Sequence, residues 1–191
     1  MAKILILDNY DSFTYNLVHY VKDYGVHEVD VFRNDKIELN EVDQYDGIIL
    51  SPGPGLPNEA GNLIPIIENY YETKRIFGVC LGQQAIGEVF GGSLYNLSEV
   101  YHGVTARIEL VKPTHYMFEG LPEQFEGGRY HSWMVNKDGF PSCLTINAVD
   151  DQGRVMALSH KTYDCCGVQF HPESILTPHG KEIIFNWLKR F

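Results

Sequence analysis

The chain has 191 residues, 44% of them hydrophobic and 21% charged, with a formal net charge of −10. That is enough chain to bury a sizeable core in one domain, expected to span residues 1–191, and its acidity argues against partners such as nucleic acid or an anionic membrane. Four cysteines without a C-x-x-C pair do not match a zinc site or a disulfide framework, no apolar run reaches membrane-spanning length, and the opening apolar stretch is too short for a signal peptide, so a reducing cytoplasm is the expected location.

Lys3 to Leu7 is a continuous apolar run ending at Asp8, which predicts a strand buried on both faces. Asp11 or Ser12 then offers an N-cap, and Phe13, Leu17, Val18, Tyr20 and Val21 supply an apolar helix face as far as Gly25. Glu28 to Phe32 and Gly47 to Leu50 read as the next two strands. This alternation predicts an α/β fold: a single domain with a mostly parallel central sheet flanked by helices. Ser51-Pro52-Gly53-Pro54-Gly55-Leu56-Pro57 follows the third strand, and neither helix nor strand survives such a spacing of prolines. Ligands bind at this edge of open α/β sheets, so the loop is a candidate to bring backbone N–H groups close to one; plain turn chemistry is the alternative.

A helix over residues 62–73 leads to the apolar run Ile76-Phe77-Gly78-Val79, the end of a buried strand. Cys80 follows, and after it Leu81, Ala85, Ile86, Val89 and Phe90 recur at helical spacing until Gly91-Gly92. A cysteine flanked by glycines at 78 and 82 therefore sits on a sharp turn from strand to helix, with the mechanics of a nucleophile elbow and sulfur in place of oxygen. A helix N-terminus favours the thiolate, and the N–H of Leu81 would face a developing oxyanion. On the pentapeptide alone, a buried structural cysteine with punctuating glycines fits as well.

The second half changes character. Val104 to Val111, Gly128 to Val135, Leu144 to Val149, Val155 to Ser159 and Cys165 to Phe170 read as strands joined by short turns, which suits additional antiparallel strands in the C-terminal half. A last helix is expected from Thr177 or Pro178 through Leu188. His171 and Glu173 end the last strand two residues apart, a spacing that in extended backbone puts both side chains on one face. A carboxylate beside a histidine orients the ring and stabilises the imidazolium, which is what a thiol nucleophile needs from its base. An exposed His-Pro-Glu turn is the plain alternative, but the conjunction with the cysteine elbow, also at a strand C-terminal end, is more specific than either part. No two histidines show the helical i, i+4 spacing of a zinc pair, so no metal is expected.

Ser51-Pro52-Gly53-Pro54-Gly55, Gly78-Val79-Cys80-Leu81-Gly82-Gln83-Gln84 and Phe170-His171-Pro172-Glu173-Ser174 together closely resemble the signature segments of class I (triad-type) glutamine amidotransferases, over essentially the whole chain. Asp8 to Leu17 and Ser174 to Thr177 look like the branch that acts on chorismate, in anthranilate and 4-amino-4-deoxychorismate synthesis. The resemblance implies a flavodoxin-like fold, no cofactor, L-glutamine as substrate and, as partner, a chorismate-binding synthase subunit. It implies Cys80 as nucleophile, His171 as general base and acid, and Glu173 as the orienting carboxylate. Gly53 and Leu81 would supply oxyanion N–H groups, and Gly53, Pro54, Gly55, Gln84, Ser132 and Trp133 match positions that hold glutamine. Gln83, Trp133 and Val104 stand where His or Tyr, Leu, and Lys are more familiar.

In that reading, glutamine is hydrolysed through a γ-glutamyl thioester and ammonia passes to the docked partner. Tyr10, Asp11 and Ser12, leaving the first strand on the same sheet edge, are expected at that interface, with Phe13 either beside them or packed at the helix start. A free-standing cysteine hydrolase of γ-glutamyl amides is the rival reading.

Overall fold

A computed structural model, which describes residues 1–25, 27–98 and 100–191, places the first apolar run inside a nine-stranded sheet. In chain order the elements are β1 (Lys3–Asp8), α1 (Thr14–Tyr24), β2 (Glu28–Arg33), β3 (Gly47–Leu50), α2 (Leu63–Tyr70), β4 (Arg75–Val79), α3 (Leu81–Val89), β5 (Leu94–Asn96), β6 (Val104–Leu110), β7 (Gln124–Arg129), β8 (Trp133–Val135), β9 (Leu144–Asp150), β10 (Val155–His160), β11 (Cys165–Val168) and α4 (Gly180–Leu188). The sheet order is β2-β1-β3-β4-β11-β10-β9-β6-β7. The strands from β2 to β11 in that order pair in parallel, and those from β10 to β7 pair antiparallel. β5 and β8 form a separate two-stranded sheet.

Alternation along β1 shows why the run is continuously apolar. Ile4 and Ile6 face a layer with Leu17, Val18 and Val21 of α1 and Ile183, Ile184 and Trp187 of α4. Leu5 and Leu7 face the opposite layer, with Leu63, Ile66 and Ile67 of α2 and Ala85 and Ile86 of α3. A strand covered by helices on both faces has no side left for polar residues. No helix among the described residues is long and apolar enough to cross a membrane.

The structure departs from the sequence expectations where long-range partners decide. The stretch from Gly128 to Val135 is not one strand: β7 stops at Arg129, and β8 belongs to the other sheet. Between them the chain pairs irregularly with an earlier segment, through Leu97 N–H to Ser132 O, Tyr101 N–H to His131 O and Gly103 N–H to Arg129 O. Neither Asp11 nor Ser12 caps α1: Phe13 is the N-cap residue, and the Asp11 carboxylate instead accepts from the N–H of Phe13 at 2.7 Å. The last strand ends at Val168 rather than Phe170, and α4 starts at Gly180, because Thr177 is occupied elsewhere, accepting from Gly128 N–H and donating to His171 O.

Candidate active site

The C-terminal ends of β4 and β11 lie side by side, with Val79 paired to Val168. β4 delivers Cys80, whose backbone has φ 51° and ψ −101°, a conformation rarely adopted outside glycine and one that marks functional strain. The elbow is tight. A Cβ on Gly78 would lie 2.5 Å from the carbonyl carbon of Gly82, and one on Gly82 would lie 2.6 Å from Leu50 O on β3. Both glycines are thus fixed by close backbone approach, and α3 is pressed onto the strand that carries the thiol.

β11 delivers His171. It is buried, and its Nδ1 lies 2.6 Å from Glu173 Oε1, so the two residues do meet. They do so on a turn closed by Ser174 N–H donating to His171 O, not on the extended backbone that the i, i+2 spacing suggests. His171 is clamped through its backbone as well: its N–H donates to Gly128 O at 2.9 Å. The rings of Tyr130 and Phe13 lie 4.8 Å and 6.5 Å from the His171 ring. Burial alone would lower the pKa of His171; the charge of Glu173 and the nearness of the Cys80 sulfur outweigh it and hold the imidazole well above its ordinary value. Among the described residues, His171 Nε2 and Glu173 Oε2 are buried with no hydrogen-bond partner.

A pocket of about 200 Å³ lies at this edge, lined by Gly53, Pro54, Gly55, Cys80, Gln84 and residues 130–133. Of the residues singled out from sequence, Gly53, Pro54, Gly55, Gln84, Ser132 and Trp133 thus come together with Cys80. A Cβ on Gly53 would lie 3.0 Å from Leu81 Cδ2, which puts the two backbone segments next to each other. Among the described residues neither Gly53 nor Leu81 donates its N–H to another backbone group, so both donors stay free, as the first donors of a helix do. Gln84 donates to Trp133 O at 2.7 Å, tying α3 to the far wall. A larger hollow of about 520 Å³ lies at the opposite sheet edge, among Asp46, Lys74, Arg75 and Asp164, with no thiol or imidazole in its lining.

Tyr10, Asp11 and Ser12 lie on the pocket side, after β1. Tyr10 is exposed and has φ 63°; its hydroxyl donates to Asp35, and the Arg33 guanidinium stacks 4.4 Å above its ring. Asp11 is half-buried, and its carboxyl is held above the usual range by burial, with help from the charges of Glu173 and Asp8. Phe13 is partly exposed and contacts Tyr130 at 5.7 Å between rings, and Ile175, two residues past Glu173, is 96% exposed.

Sequence reasoning gave no role to the cluster behind the pocket. Arg129 and Arg154 both pair with the buried Asp150, at 3.3 Å and 2.6 Å. Arg129 Nε donates to His131 Nε2 at 3.1 Å; arginine only donates, so Nδ1 of His131 carries the proton. Burial, then the charge of Arg129, pushes the His131 pKa down to about 3. Two segments far apart in the chain, Arg129 to His131 and Asp150 to Arg154, meet here, and no local pattern announces that meeting. Of the other cysteines, Cys165 and Cys166 are wholly buried, which pushes their thiols up and leaves them inert. Among the described residues no group of three or more His, Cys, Asp or Glu side chains is placed to hold a metal ion.

Comparison with known proteins identifies relatives of the whole chain. The family model described as glutamine amidotransferase class-I matches residues 5–191. The chain is 44% identical over 190 residues to the aminodeoxychorismate/anthranilate synthase component 2 of Bacillus subtilis, covering 98% of this chain and 96% of that one. It is 43% identical over 188 residues to the anthranilate synthase component 2 of Azospirillum brasilense, covering 97% and 94%. Among solved structures, a Thermoplasma acidophilum protein described as one subunit of a GMP synthase superposes with a TM-score of 0.88 at 27% identity, over 99% of this chain and 93% of that one.

Proposed function

Since the chain belongs to the class-I glutamine amidotransferases, and is thus an enzyme of that kind, we propose that it hydrolyses L-glutamine and delivers the ammonia to a chorismate-utilising synthase subunit. The observation that carries the reading is the juxtaposition at adjacent strand ends: Cys80 after β4, in the wall of one small pocket, and the buried His171–Glu173 pair after β11, behind the Tyr130 ring of that wall. The relatives named as component 2 of anthranilate and aminodeoxychorismate synthases supply the acceptor class.

The Cys80 thiolate attacks the side-chain amide carbon of glutamine. The N–H groups of Gly53 and Leu81 bind the oxyanion; losing one such donor typically costs about 10²–10³ in rate. His171, oriented by Glu173, gives its proton to the departing nitrogen. Ammonia leaves, and a γ-glutamyl thioester remains on sulfur. His171 then takes a proton from water, which attacks the thioester; glutamate departs, and the Cys80 thiolate and the protonated His171 are restored. Gln84, Ser132 and Trp133 hold the substrate, with the 53–55 loop as the opposite wall. Free ammonia is a nucleophile only while unprotonated, so the partner must dock over this edge and receive it directly. Tyr10, Asp11 and Ser12, with Phe13 and Ile175, form the surface for that docking.

Reconstitution tests the reading. In the presence of a chorismate-utilising subunit, Cys80→Ser is expected to abolish glutamine-dependent synthesis and leave ammonia-dependent synthesis unchanged. Glutamine use that survives the substitution overturns the assignment of Cys80.

A further inference from the structure

Cys80 sulfur has a second neighbour besides His171. The side-chain Nε2 of Gln169 lies 3.4 Å from it, and Gln169 itself is wholly buried. Gln169 stands just past β11, where its backbone N–H donates to Met156 O at 2.8 Å, and its Oε1 accepts from Gln84 Nε2 at 3.2 Å. Gln84 Nε2 also donates to Trp133 O at 2.7 Å.

The direction of this chain is fixed by its far end. A backbone carbonyl only accepts, so Gln84 must turn its NH₂ toward Trp133. The second hydrogen of that NH₂ then goes to Gln169, which must turn its oxygen toward Gln84. The NH₂ of Gln169 is left facing sulfur. An amide donor aimed at a buried sulfur favours thiolate over thiol, and a hydrogen bond to a charged group is worth more than one between neutral groups.

We propose that Gln169 is a catalytic residue of the glutamine-hydrolysing reaction: its side-chain N–H holds the Cys80 sulfur as a thiolate and fixes its aim, and Gln84, anchored on the Trp133 carbonyl of the pocket wall, sets the orientation of that amide. The proposal rests on the reading of Cys80 as nucleophile. It assigns Gln84 two duties, one in the pocket wall and one behind the sulfur. Gln169 does not line the pocket, so its effect falls on the reacting atom and not on substrate affinity.

The test uses the full chain with Gln169→Met, which removes the amide, and Gln169→Glu, which keeps the shape and the acceptor for Gln84 but has no N–H for sulfur. Cys80 alkylation by iodoacetamide is followed against pH by mass spectrometry at that site, beside kcat and KM for glutamine. In both variants the alkylation profile is expected to move to higher pH and the rate at neutral pH to fall about tenfold or more. The kcat falls in step while KM stays within about twofold. An unmoved profile in either folded variant overturns the role of Gln169. The unaltered chain gives a second measurement: S-methylthiolation of Cys80 is expected to shift the side-chain amide ¹⁵N resonance of Gln169, and a fixed resonance overturns the contact. If a glutamine-analogue electrophile fails to label Cys80 in the unaltered chain, the reading of Cys80 as nucleophile falls; labelling with an unmoved profile removes Gln169 alone.

Discussion

The backbone N–H of Cys80 donates to the carbonyl oxygen of Val168 at 2.8 Å. The parallel ladder between β4 and β11 is thereby extended one residue into the elbow, and the strained thiol residue is bonded to the strand that leads to His171. Distance along the polymer between the two reacting groups is replaced by a single sheet spacing.

That bond and the elbow glycines should make the strain at Cys80 measurable. At φ 51° glycine fits better than alanine, so Cys80→Gly is expected to be more stable than Cys80→Ala by about 1 kcal/mol in urea unfolding, the reverse of the usual order. Equal stabilities would mean that the conformation carries no strain.

Gly78→Ala should cost about 3 kcal/mol, since the new methyl meets backbone of α3 and nothing flexible can yield. Glutaminase activity should fall with it as the helix is pushed off the strand. Urea unfolding and ammonia release measure the two effects on the same preparation.

His171 links stability to alkaline pH. Its imidazole titrates above its unfolded value, so it adds stability that is complete below about pH 6.5 and is lost as pH rises through the folded value. Glu173→Gln should shrink that contribution and reduce kcat by about 10² by disturbing the general acid and base. Unfolding curves at increasing pH, compared between the two proteins, would show the difference; parallel curves would deny the pairing its electrostatic role.

His131 acts at the other end of the scale. Its folded value is about 3, so the unfolded chain binds the extra proton and stability falls as pH drops from about 6.5 toward 3, by about 1.4 kcal/mol per unit from this one residue. His131→Gln, which keeps an acceptor for Arg129, should flatten that acid limb. A limb of unchanged slope would place its origin elsewhere.

Ile175 and Tyr10 test the docking surface. Ile175→Asp and Tyr10→Ala should change the stability of the isolated chain by no more than about 0.5 kcal/mol, and should weaken about tenfold its association with a chorismate-utilising subunit. Unaltered affinity in both, measured by titration calorimetry, would move the interface off this edge.

Much of this site was legible in the chain because its parts announce themselves locally. Continuous apolar runs mark β1, β3 and β4, and the cysteine between glycines at 78 and 82 marks the elbow. Placing both chemical motifs at C-terminal ends of parallel strands was enough to bring them to one edge. What stayed hidden depends on distant partners. The break at residues 130–132 is set by pairing with Leu97, Tyr101 and Gly103, and the neutrality of His131 by burial and then by an arginine that is itself held by Asp150. Gln169 lies next to a recognised motif, yet its duty appears only when Cys80, 89 residues away, is brought beside it.

Pairing in the sheet changes from parallel to antiparallel once, where β10 meets β11. Cys80 and the His171–Glu173 pair hang from one side of that seam, while Tyr130 to Trp133 reach the pocket from the end of β7 on the other. The link from β7 to β8 bridges that seam, since Tyr130 packs on the His171 ring and the Trp133 carbonyl holds Gln84, so a change there is expected to be felt at the pocket wall and at the imidazole together.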